Sequence, residues 1–240
     1  MTTNLVADGR VKLGQQRPHD YPGALIIVEG VDGSGKSTQL VLLGEWLEQQ
    51  GVDLIRTEWT SSTLIGKATK RGKKRQWLGH LSFVLLHATD FTHRYENIIV
   101  PSLKAGKVVL ADRYIYTAMA RDVARGANPR AVRQLYSFAV KPDLALYFRV
   151  PLEVAINRVL TGAERGELKY YEAGMDLGLS PDPIESYKLF QRRVSDEYDR
   201  MVDEFGLTVI NAERTIEAQH AEVTALGQEV LDRLPASARA

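Results

Sequence analysis

A stretch of nine residues near the start of the chain has the composition and spacing of a phosphate-binding loop. Gly30 to Thr38 read GVDGSGKST, which fits the pattern GxxxxGK[ST]. The glycines allow backbone N–H groups to point inward at phosphates, and the N-terminus of the following helix adds partial positive charge. Lys36 is expected to reach the β- and γ-phosphates of ATP, and the Ser37 hydroxyl to help hold Mg²⁺. The predicted ATP-binding residues are Gly30, Val31, Asp32, Gly33, Ser34, Gly35, Lys36, Ser37 and Thr38.

A carboxylate and an arginine follow the apolar run Val108 to Ala111. At the carboxyl end of a parallel strand, Asp112 would lie beside the loop and hold Mg²⁺ directly or through water, while Arg113 faced phosphate oxygens. A structural ion pair at the strand end is the alternative. We favour the functional interpretation, because two charges that end a buried strand are costly unless they are used or paired.

The segments that position these residues alternate between short apolar runs and helical patterns, which is typical of an α/β domain. A strand pattern precedes the loop and a helical pattern follows it, which argues against a chance glycine-rich turn. Because each strand is followed by a helix, we expect a parallel sheet covered on both faces, with ligands at the carboxyl ends of its strands. The predicted strands are Ala24 to Val28, Val52 to Thr57, Val108 to Ala111, Leu144 to Val150 and Leu207 to Ile210; the predicted helices are Lys36 to Gln50, Leu81 to Ile99, one opened by Asn128 and Pro129, one opened by Pro151, Ile184 to Phe205 and Ile216 to Leu234.

Length and composition limit the class of protein. The 240 residues suit one domain, predicted over residues 23–234 between a mobile N-terminal tail (1–22) and a C-terminal tail (235–240). Because 31 basic residues face 30 acidic ones, a nucleic-acid partner is not expected. No apolar run reaches the roughly 18 residues of a membrane span. The chain has no cysteine, which excludes disulfides and thiolate catalysis and suits a reducing compartment, here expected to be the cytoplasm.

Four sequence motifs make the chain resemble the thymidylate kinase family. The family's loop pattern EGxDGxGKST is met in full by Glu29 to Thr38, and its DR[YFH] pattern by Asp112 to Tyr114. Lys141 to Leu144 match its KPDL strand opening, and Val100 to Leu103 resemble its run before the third strand. The similarity extends over about residues 24–234, which is nearly the whole chain.

This resemblance implies a P-loop kinase fold with the strand order 2-3-1-4-5, a short mobile lid and usually a homodimer. It also implies the reaction, which is phosphoryl transfer from Mg²⁺-ATP to a nucleoside monophosphate, with dTMP converted to dTDP. Asp32 would contact the sugar of the acceptor or the metal shell, and Arg113 would bind the acceptor phosphate.

The family's catalytic arginine lies either in the loop or in the lid. The loop position here is Gly33, so the lid, at about residues 158–172, should supply the arginine, and we rank Arg165 first. The predicted catalytic residues are therefore Lys36, Arg113, Asp32 and Arg165, with Arg158 and Lys169 as the other lid cations.

Departures from the family pattern concern the acceptor. The second strand ends in RTEWTSS, residues 56–62, where the family has REPGGT, so only the acid Glu58 is kept. The acceptor helix has Phe91 where the family has an arginine, and Arg94 lies three residues on. After the Asp-Arg-Tyr motif, the family places an amide or small residue and then a tyrosine against the base, whereas this chain has Ala118 and Arg121, so these side chains do not fix the base. The predicted acceptor-binding residues are Glu58, Phe83, His87, Phe91, Arg94, Arg113, Tyr114 and Arg121, and the predicted metal ligands are Ser37 and Asp112.

In the long helix, each residue is rotated by about 100° about the helix axis from the one before it. This rotation places the acceptor residues on the face opposite the core stripe. Phe83, His87, Asp90 and Arg94 share that opposite face, where a phenylalanine needs cover from a stacked base or a subunit interface. Asp90 and Arg94 could equally form a surface ion pair. The predicted core stripe is Leu81, Val84, Leu85, Ala88, Thr92, Tyr95 and Ile99.

Two other activities are compatible with these motifs. A deoxynucleoside kinase would phosphorylate a 5′-hydroxyl with Glu58 as base, and a P-loop NTPase or nucleotide-binding regulator would need no acceptor. The surplus of arginines argues against the first, and Arg113 and the lid would have no role in the second. A basic run before the long helix is either solvated, as most are, or binds an anionic or polymeric partner. It comprises Lys67, Lys70, Arg71, Lys73, Lys74 and Arg75.

Overall fold

The centre of the computed structural model, which describes residues 16–161 and 168–235, is a five-stranded parallel sheet. Its strand order is β2-β3-β1-β4-β5, as predicted. Every residue of the first strand is buried, as expected of a central strand with both faces covered. The strands are β1 Ala24–Glu29, β2 Leu54–Glu58, β3 Val108–Asp112, β4 Leu144–Arg149 and β5 Thr208–Asn211.

Helices connect the strands and pack over the sheet in two groups. They are α1 Lys36–Gln49, α2 Gly66–Lys74, α3 His80–Arg94, α4 Val100–Lys104, α5 Ile115–Ala124, α6 Pro129–Leu135, α7 Leu152–Thr161, α8 Pro183–Phe205 and α9 Ile216–Arg233. One group pairs α1 with α9, and in the other α5 packs against both α3 and α8. Asn128 caps α6 as predicted, because its side-chain oxygen accepts from the backbone N–H groups of Arg130 and Ala131.

Helices α2, α4 and α5 were not predicted from the sequence, and neither α2 nor α5 has a stripe of large apolar residues opposite an exposed polar face. The α5 sequence IYTAMARDVA is buried at eight of its ten positions, so no polar face marks its period. Helix α2 has the opposite composition, and the basic run lies on it. Its buried residues are Gly66, Thr69 and Gly72, which are too small and polar to form an apolar stripe.

The helix predicted over Leu81 to Ile99 differs from the observed one in continuity and rotation. A single π-helical turn, Tyr95–Ile99, separates α3 from α4. The predicted core stripe is wrong at Leu81 and Leu85, which are 68% and 49% exposed, although Val84, Ala88, Tyr95 and Ile99 are buried. The opposite face is buried as well, because Trp59 and Ser62 from the segment after β2 contact it. Because this segment covers a second side of α3, the buried part of the helix surface is rotated relative to the predicted core stripe.

The polar segment before β1 is attached to the domain in its described part. The backbone of Lys141 donates to the Arg17 carbonyl at 2.8 Å, and His19 lies 3.0 Å from the Asp143 carboxylate. Residues 16–22, predicted to belong to a mobile tail, therefore include residues in contact with the domain, and the rest of the predicted tails, residues 1–15 and 236–240, lie outside the described part. None of the helices described combines the length and apolar composition needed to cross a bilayer.

Candidate active site

The phosphate-binding loop occupies the turn from β1 into α1. Gly33 and Gly35 have φ angles of 82° and 86°, in the left-handed region that side chains with a Cβ rarely adopt. The loop therefore needs glycine at these positions for its backbone conformation. It opens directly onto the first turn of α1, where free N–H groups and the helix dipole favour an anion.

Lys36, at the start of α1, faces the end of β3. Its Nζ lies 3.9 Å from Oδ1 of Asp112 and donates to the Ser37 hydroxyl at 3.4 Å. Burial and then the nearby Arg113 charge lower the pKa of Lys36 to about 8, although the Asp112 and Asp32 carboxylates oppose this shift. The Lys36 amine is therefore a poorly compensated cation beside the loop.

Ser37 and Asp112 offer oxygen atoms that suit Mg²⁺. Oδ1 of Asp112 is buried and accepts no hydrogen bond, so it has capacity for a cation. No group of three or more metal-ligating side chains occurs among the described residues. The two side-chain oxygens of Ser37 and Asp112 would form only part of a magnesium shell, in which nucleotide sites usually complete the coordination with phosphate oxygens and water.

Arg113 begins the connection from β3 to α5 with an unusual backbone conformation. Its φ angle of 69° is left-handed, and its N–H donates to the Val28 carbonyl at 3.0 Å. Its guanidinium turns back over the loop, donating to the carbonyl of Gly30 and the hydroxyl of Thr117, both at 3.0 Å. Burial alone would lower the pKa of Arg113, but the surrounding negative charges, Asp32 first, raise it, so the side chain is a permanent cation.

Asp32 is surrounded by positive charge. Its carboxylate lies 2.6 Å from the Arg113 guanidinium and 3.1 Å from that of Arg121. Burial opposes ionisation, but Arg121, Arg113, Lys36 and then Lys169 lower the pKa of Asp32 to about 2. Arg113 and Arg121 share this carboxylate as their ion-pair partner, so this pair of arginines carries more positive charge than Asp32 supplies, which suits a second anion.

A cluster of aromatic rings lies beside these cations. The rings of Phe83 and His87 meet edge to face at 4.2 Å, and Trp59 lies 5.9 Å from His87. The Arg125 guanidinium stacks over Phe83 at 4.4 Å, and Lys73 Nζ lies 5.2 Å from the same ring. Burial and then the Lys73 charge hold the pKa of His87 well below its usual value, so the ring is neutral, and its Nε2 is buried without a partner.

Comparison with known proteins agrees with this arrangement of sheet, loop and cations. A family model described as thymidylate kinase matches residues 28–223. The protein named "Probable thymidylate kinase 2" from Saccharolobus solfataricus is 41% identical over 212 residues, covering 88% of this chain and 98% of that protein. A "Probable thymidylate kinase" from Thermococcus kodakarensis is 33% identical over 217 residues, covering 86% and 98%. The chain belongs to the thymidylate kinase family.

Another relative matches a shorter part of the chain. The "Thymidylate kinase" of Desulfotalea psychrophila is 36% identical over 147 residues, which are 61% of this chain and 72% of that protein.

Three residues that the family pattern suggested for the acceptor lie in the protein interior. Phe91 is completely buried, with its ring 5.1 Å from Tyr114 and 5.8 Å from Tyr136. Its cover thus comes from its own chain. Tyr114 is also fully buried, and its hydroxyl donates to the Val140 carbonyl.

Arg94 forms a buried ion pair instead of the surface pair considered from the sequence. Its Nε donates to Asp90 at 3.1 Å and its NH1 to the Thr57 hydroxyl at 3.0 Å, while its NH2 is buried without a partner.

Glu58, another predicted acceptor residue, lies at the end of β2. It lines a cavity of about 450 Å³ together with Val41 and Asp112.

The family's lid lies only partly within the described residues. Arg165 is outside them, so its predicted role is not addressed by the structure. Lys169 is exposed and pairs with Glu172 at 3.4 Å. Arg158, ranked below Arg165 from the sequence, reaches the loop instead, where it donates to the carbonyl of Gly33 at 3.4 Å and to that of Ala212 at 3.2 Å.

Several residues of the site were not predicted. They are Trp59, Lys73, Thr117, Arg125 and Tyr171, which belong to four separate segments of the chain. Lys73 is the least exposed cation of its basic run. Helical spacing along the run could have separated it from the other cations. Thr117 could have been found from its spacing, since it lies one turn after Arg113.

Proposed function

We propose that this protein transfers the γ-phosphoryl group of ATP to a nucleoside monophosphate, with dTMP as the acceptor and dTDP as the product. The observation that carries the proposal is the set of cations around Asp32, a residue of the phosphate-binding loop. Arg113 and Arg121 form ion pairs with its carboxylate, and the charge of Lys36 also acts on it. A reaction between two phosphate-bearing molecules requires two adjacent anion-binding regions.

On the donor side, the loop N–H groups would hold the phosphates of ATP, and Lys36 would contact the β- and γ-phosphates. Ser37 and Asp112 would hold Mg²⁺, which neutralises phosphate charge when bound. Arg158, which donates to the loop carbonyl of Gly33, would be a further cation for this side.

On the acceptor side, which we define as Arg113, Arg121, Phe83 and His87, the two arginines would bind the acceptor phosphate. One of its oxygen atoms attacks the γ-phosphorus in line, a new P–O bond forms, and the bond to the bridging oxygen of ADP breaks. The attacking oxygen is already anionic, so no general base is needed. Asp32 would leave the arginines when the phosphate arrives and contact the acceptor's sugar or the metal shell.

The catalytic lid arginine, assigned to Arg165, remains part of the proposal, as does a cytoplasmic location, where ATP is available to the enzyme. A homodimer is also proposed. It is supported by Leu81 and Leu85, which are one turn apart on α3 and leave large apolar side chains exposed.

An acceptor panel tests the proposed reaction against its rivals. Pure protein is incubated with Mg²⁺-ATP and either nucleosides or nucleoside monophosphates, and ADP is followed. We expect turnover with dTMP or another monophosphate. Turnover with nucleosides alone would favour a deoxynucleoside kinase with Glu58 as base, and ADP release without any acceptor would favour an NTPase.

A further inference from the structure

Glu29, the last residue of β1, carries a fully buried carboxylate that has no role in the reaction as described above. Its Oε1 accepts from the backbone N–H groups of Tyr114 at 2.8 Å and Thr117 at 3.1 Å. Its Oε2 accepts from the hydroxyls of Thr117 and Tyr198, each at 2.7 Å. A buried carboxylate is costly unless its oxygens are satisfied, and here four donors satisfy them.

Two of these contacts cap α5 from a neighbouring strand. Tyr114 is the N-cap residue of α5, and Thr117 lies in its first turn, where the only other acceptor within the described contacts is the Tyr114 carbonyl, 3.2 Å from the Thr117 N–H. A carboxylate at this position also interacts favourably with the helix dipole. Since Arg113 is the residue just before this turn, Glu29 holds the backbone on one side of its left-handed conformation, and the Val28 carbonyl holds it on the other.

The remaining contacts reach the Arg113 side chain itself. The Thr117 hydroxyl accepts from NH1 of Arg113 at 3.0 Å and lies 2.7 Å from the Glu29 carboxylate. A hydroxyl has one hydrogen, so Thr117 donates it to Glu29 and keeps its lone pairs toward Arg113. With NH1 fixed between Thr117 and the Gly30 carbonyl, NH2 is directed toward Asp32.

We propose that Glu29 is a positioning residue for Arg113. Its carboxylate fixes the backbone of Arg113 by capping α5 and fixes its guanidinium through the Thr117 hydroxyl, so that the free edge of the guanidinium points to the anion site. The inference rests on the proposed function, in which Arg113 binds the acceptor phosphate. Tyr198, on α8, completes the shell of Glu29 and makes no hydrogen bond to Arg113 within the described contacts.

The substitution Glu29→Gln tests this role with little change in shape. The glutamine oxygen can still accept from the two backbone N–H groups, and its NH₂ group can donate to the hydroxyls of Thr117 and Tyr198 after these rotate. The hydrogen of Thr117 is then redirected and the negative charge is lost. We expect kcat/KM for dTMP to fall by about 10- to 100-fold, in line with the cost of small misplacements of a catalytic group, while the KM for ATP changes by less than about twofold.

Two further variants separate positioning from simple stability. Thr117→Val removes the link between Glu29 and Arg113 but leaves the backbone cap, and we expect it to reproduce the acceptor defect of Glu29→Gln. Tyr198→Phe removes the hydrogen bond to Glu29 and the 2.7 Å contact with the Thr117 hydroxyl, but it leaves the Glu29–Thr117 and Thr117–Arg113 hydrogen bonds themselves in place. It should lower Tm by a similar amount and leave the KM for dTMP within about twofold of the wild-type value. If Glu29→Gln does not fold, Thr117→Val is sufficient for the test.

The affinity for dTMP in the absence of ATP, measured by calorimetry on the same proteins, keeps the two proposals separate. Weaker dTMP binding by Glu29→Gln and Thr117→Val, but not by Tyr198→Phe, supports the inference. If all three variants lower Tm and none changes the KM or affinity for dTMP, Glu29 is only a structural cap and the inference is wrong. A wild-type protein that binds dTMP without converting it would contradict the proposed function, while the affinity ratios would still decide the role of Glu29.

Discussion

The phosphate-binding loop and the acceptor side differ in how far apart their residues lie in the chain. The loop is a single run, Gly30 to Thr38, whose geometry depends on its own glycines and on the two elements it joins. The acceptor side takes Arg113 and Arg121 from the segment that follows β3, and Phe83 and His87 from α3. A local motif therefore determines the donor site, whereas the acceptor site depends on how helices pack, and its residues can change while the loop is kept.

The largest effect is expected from Lys36→Met, which tests the donor side. Loss of the cation that contacts the β- and γ-phosphates should reduce transfer by about 10³-fold or more, measured by ADP formation. The variant should also have a higher Tm at neutral pH. The pKa of Lys36 is lowered by folding, so its charge destabilises the native state below about pH 8, and this penalty decreases as the pH rises toward the unfolded-state value. The exposed Lys67→Met is the control, and a Tm below wild type would contradict the account.

Arg113→Ala tests the acceptor side. We expect kcat/KM for dTMP to fall by about 10²- to 10³-fold, because one of two arginines facing the second anion is removed. The KM for ATP should change much less. Arg149→Ala removes an arginine paired with Asp199 near the protein surface and serves as the control. Near-normal turnover of Arg113→Ala would refute the assigned role.

The pH dependence of the two KM values should distinguish the two sides. The pKa of Lys36 is about 8, so raising the pH removes its charge from the free enzyme, and the KM for ATP should rise roughly tenfold by about pH 9. Arg113 stays charged, and the pKa of Asp32 is about 2, so neither titrates in this range. Lys73, whose pKa is also lowered to about 8, does lie near the aromatic rings. Measurements on Lys73→Met therefore isolate the effect of the Lys36 charge on the KM for ATP. Equal pH profiles of the two KM values in that variant would contradict this expectation.

The smallest effect on the chemistry is expected from Leu85→Asp, which tests the proposed homodimer. Leu85 is 49% exposed, so the charge should change monomer stability by only about 0.5 kcal/mol. Sedimentation should show a shift from dimer to monomer. Leu64→Asp, at another exposed leucine, is the control. A wild-type protein that sediments as a monomer would remove this part of the proposal.

The sequence predicted those parts of the structure that depend on neighbouring residues. The strand order followed from the family resemblance, and the cap at Asn128 followed from a side chain that needs only the next turn of helix. The rotation of α3 was not predicted correctly at Leu81 and Leu85, because the segment after β2 covers a second side of the helix, and nothing in the helix sequence states this.

The same reason explains which site residues were missed. Glu29 was recognised as part of the loop motif, but its partners Thr117 and Tyr198 are 88 and 169 positions away. Conversely, Phe91 and Tyr114 were assigned to the acceptor by their place in a pattern, whereas an aromatic cluster buries both. Spacing identifies which residues can do chemistry, and packing decides which of them reach the ligand.

The fate of the γ-phosphoryl group is the most direct test of the central claim that two anion sites meet at Asp32. The protein is incubated with dTMP and ATP labelled at the γ-phosphate, and the products are separated. We predict that the label is recovered in dTDP, at its terminal phosphate, in an amount equal to the ADP formed. Two results would contradict the account: recovery of the label only as inorganic phosphate, or no loss of label from ATP with any nucleoside monophosphate.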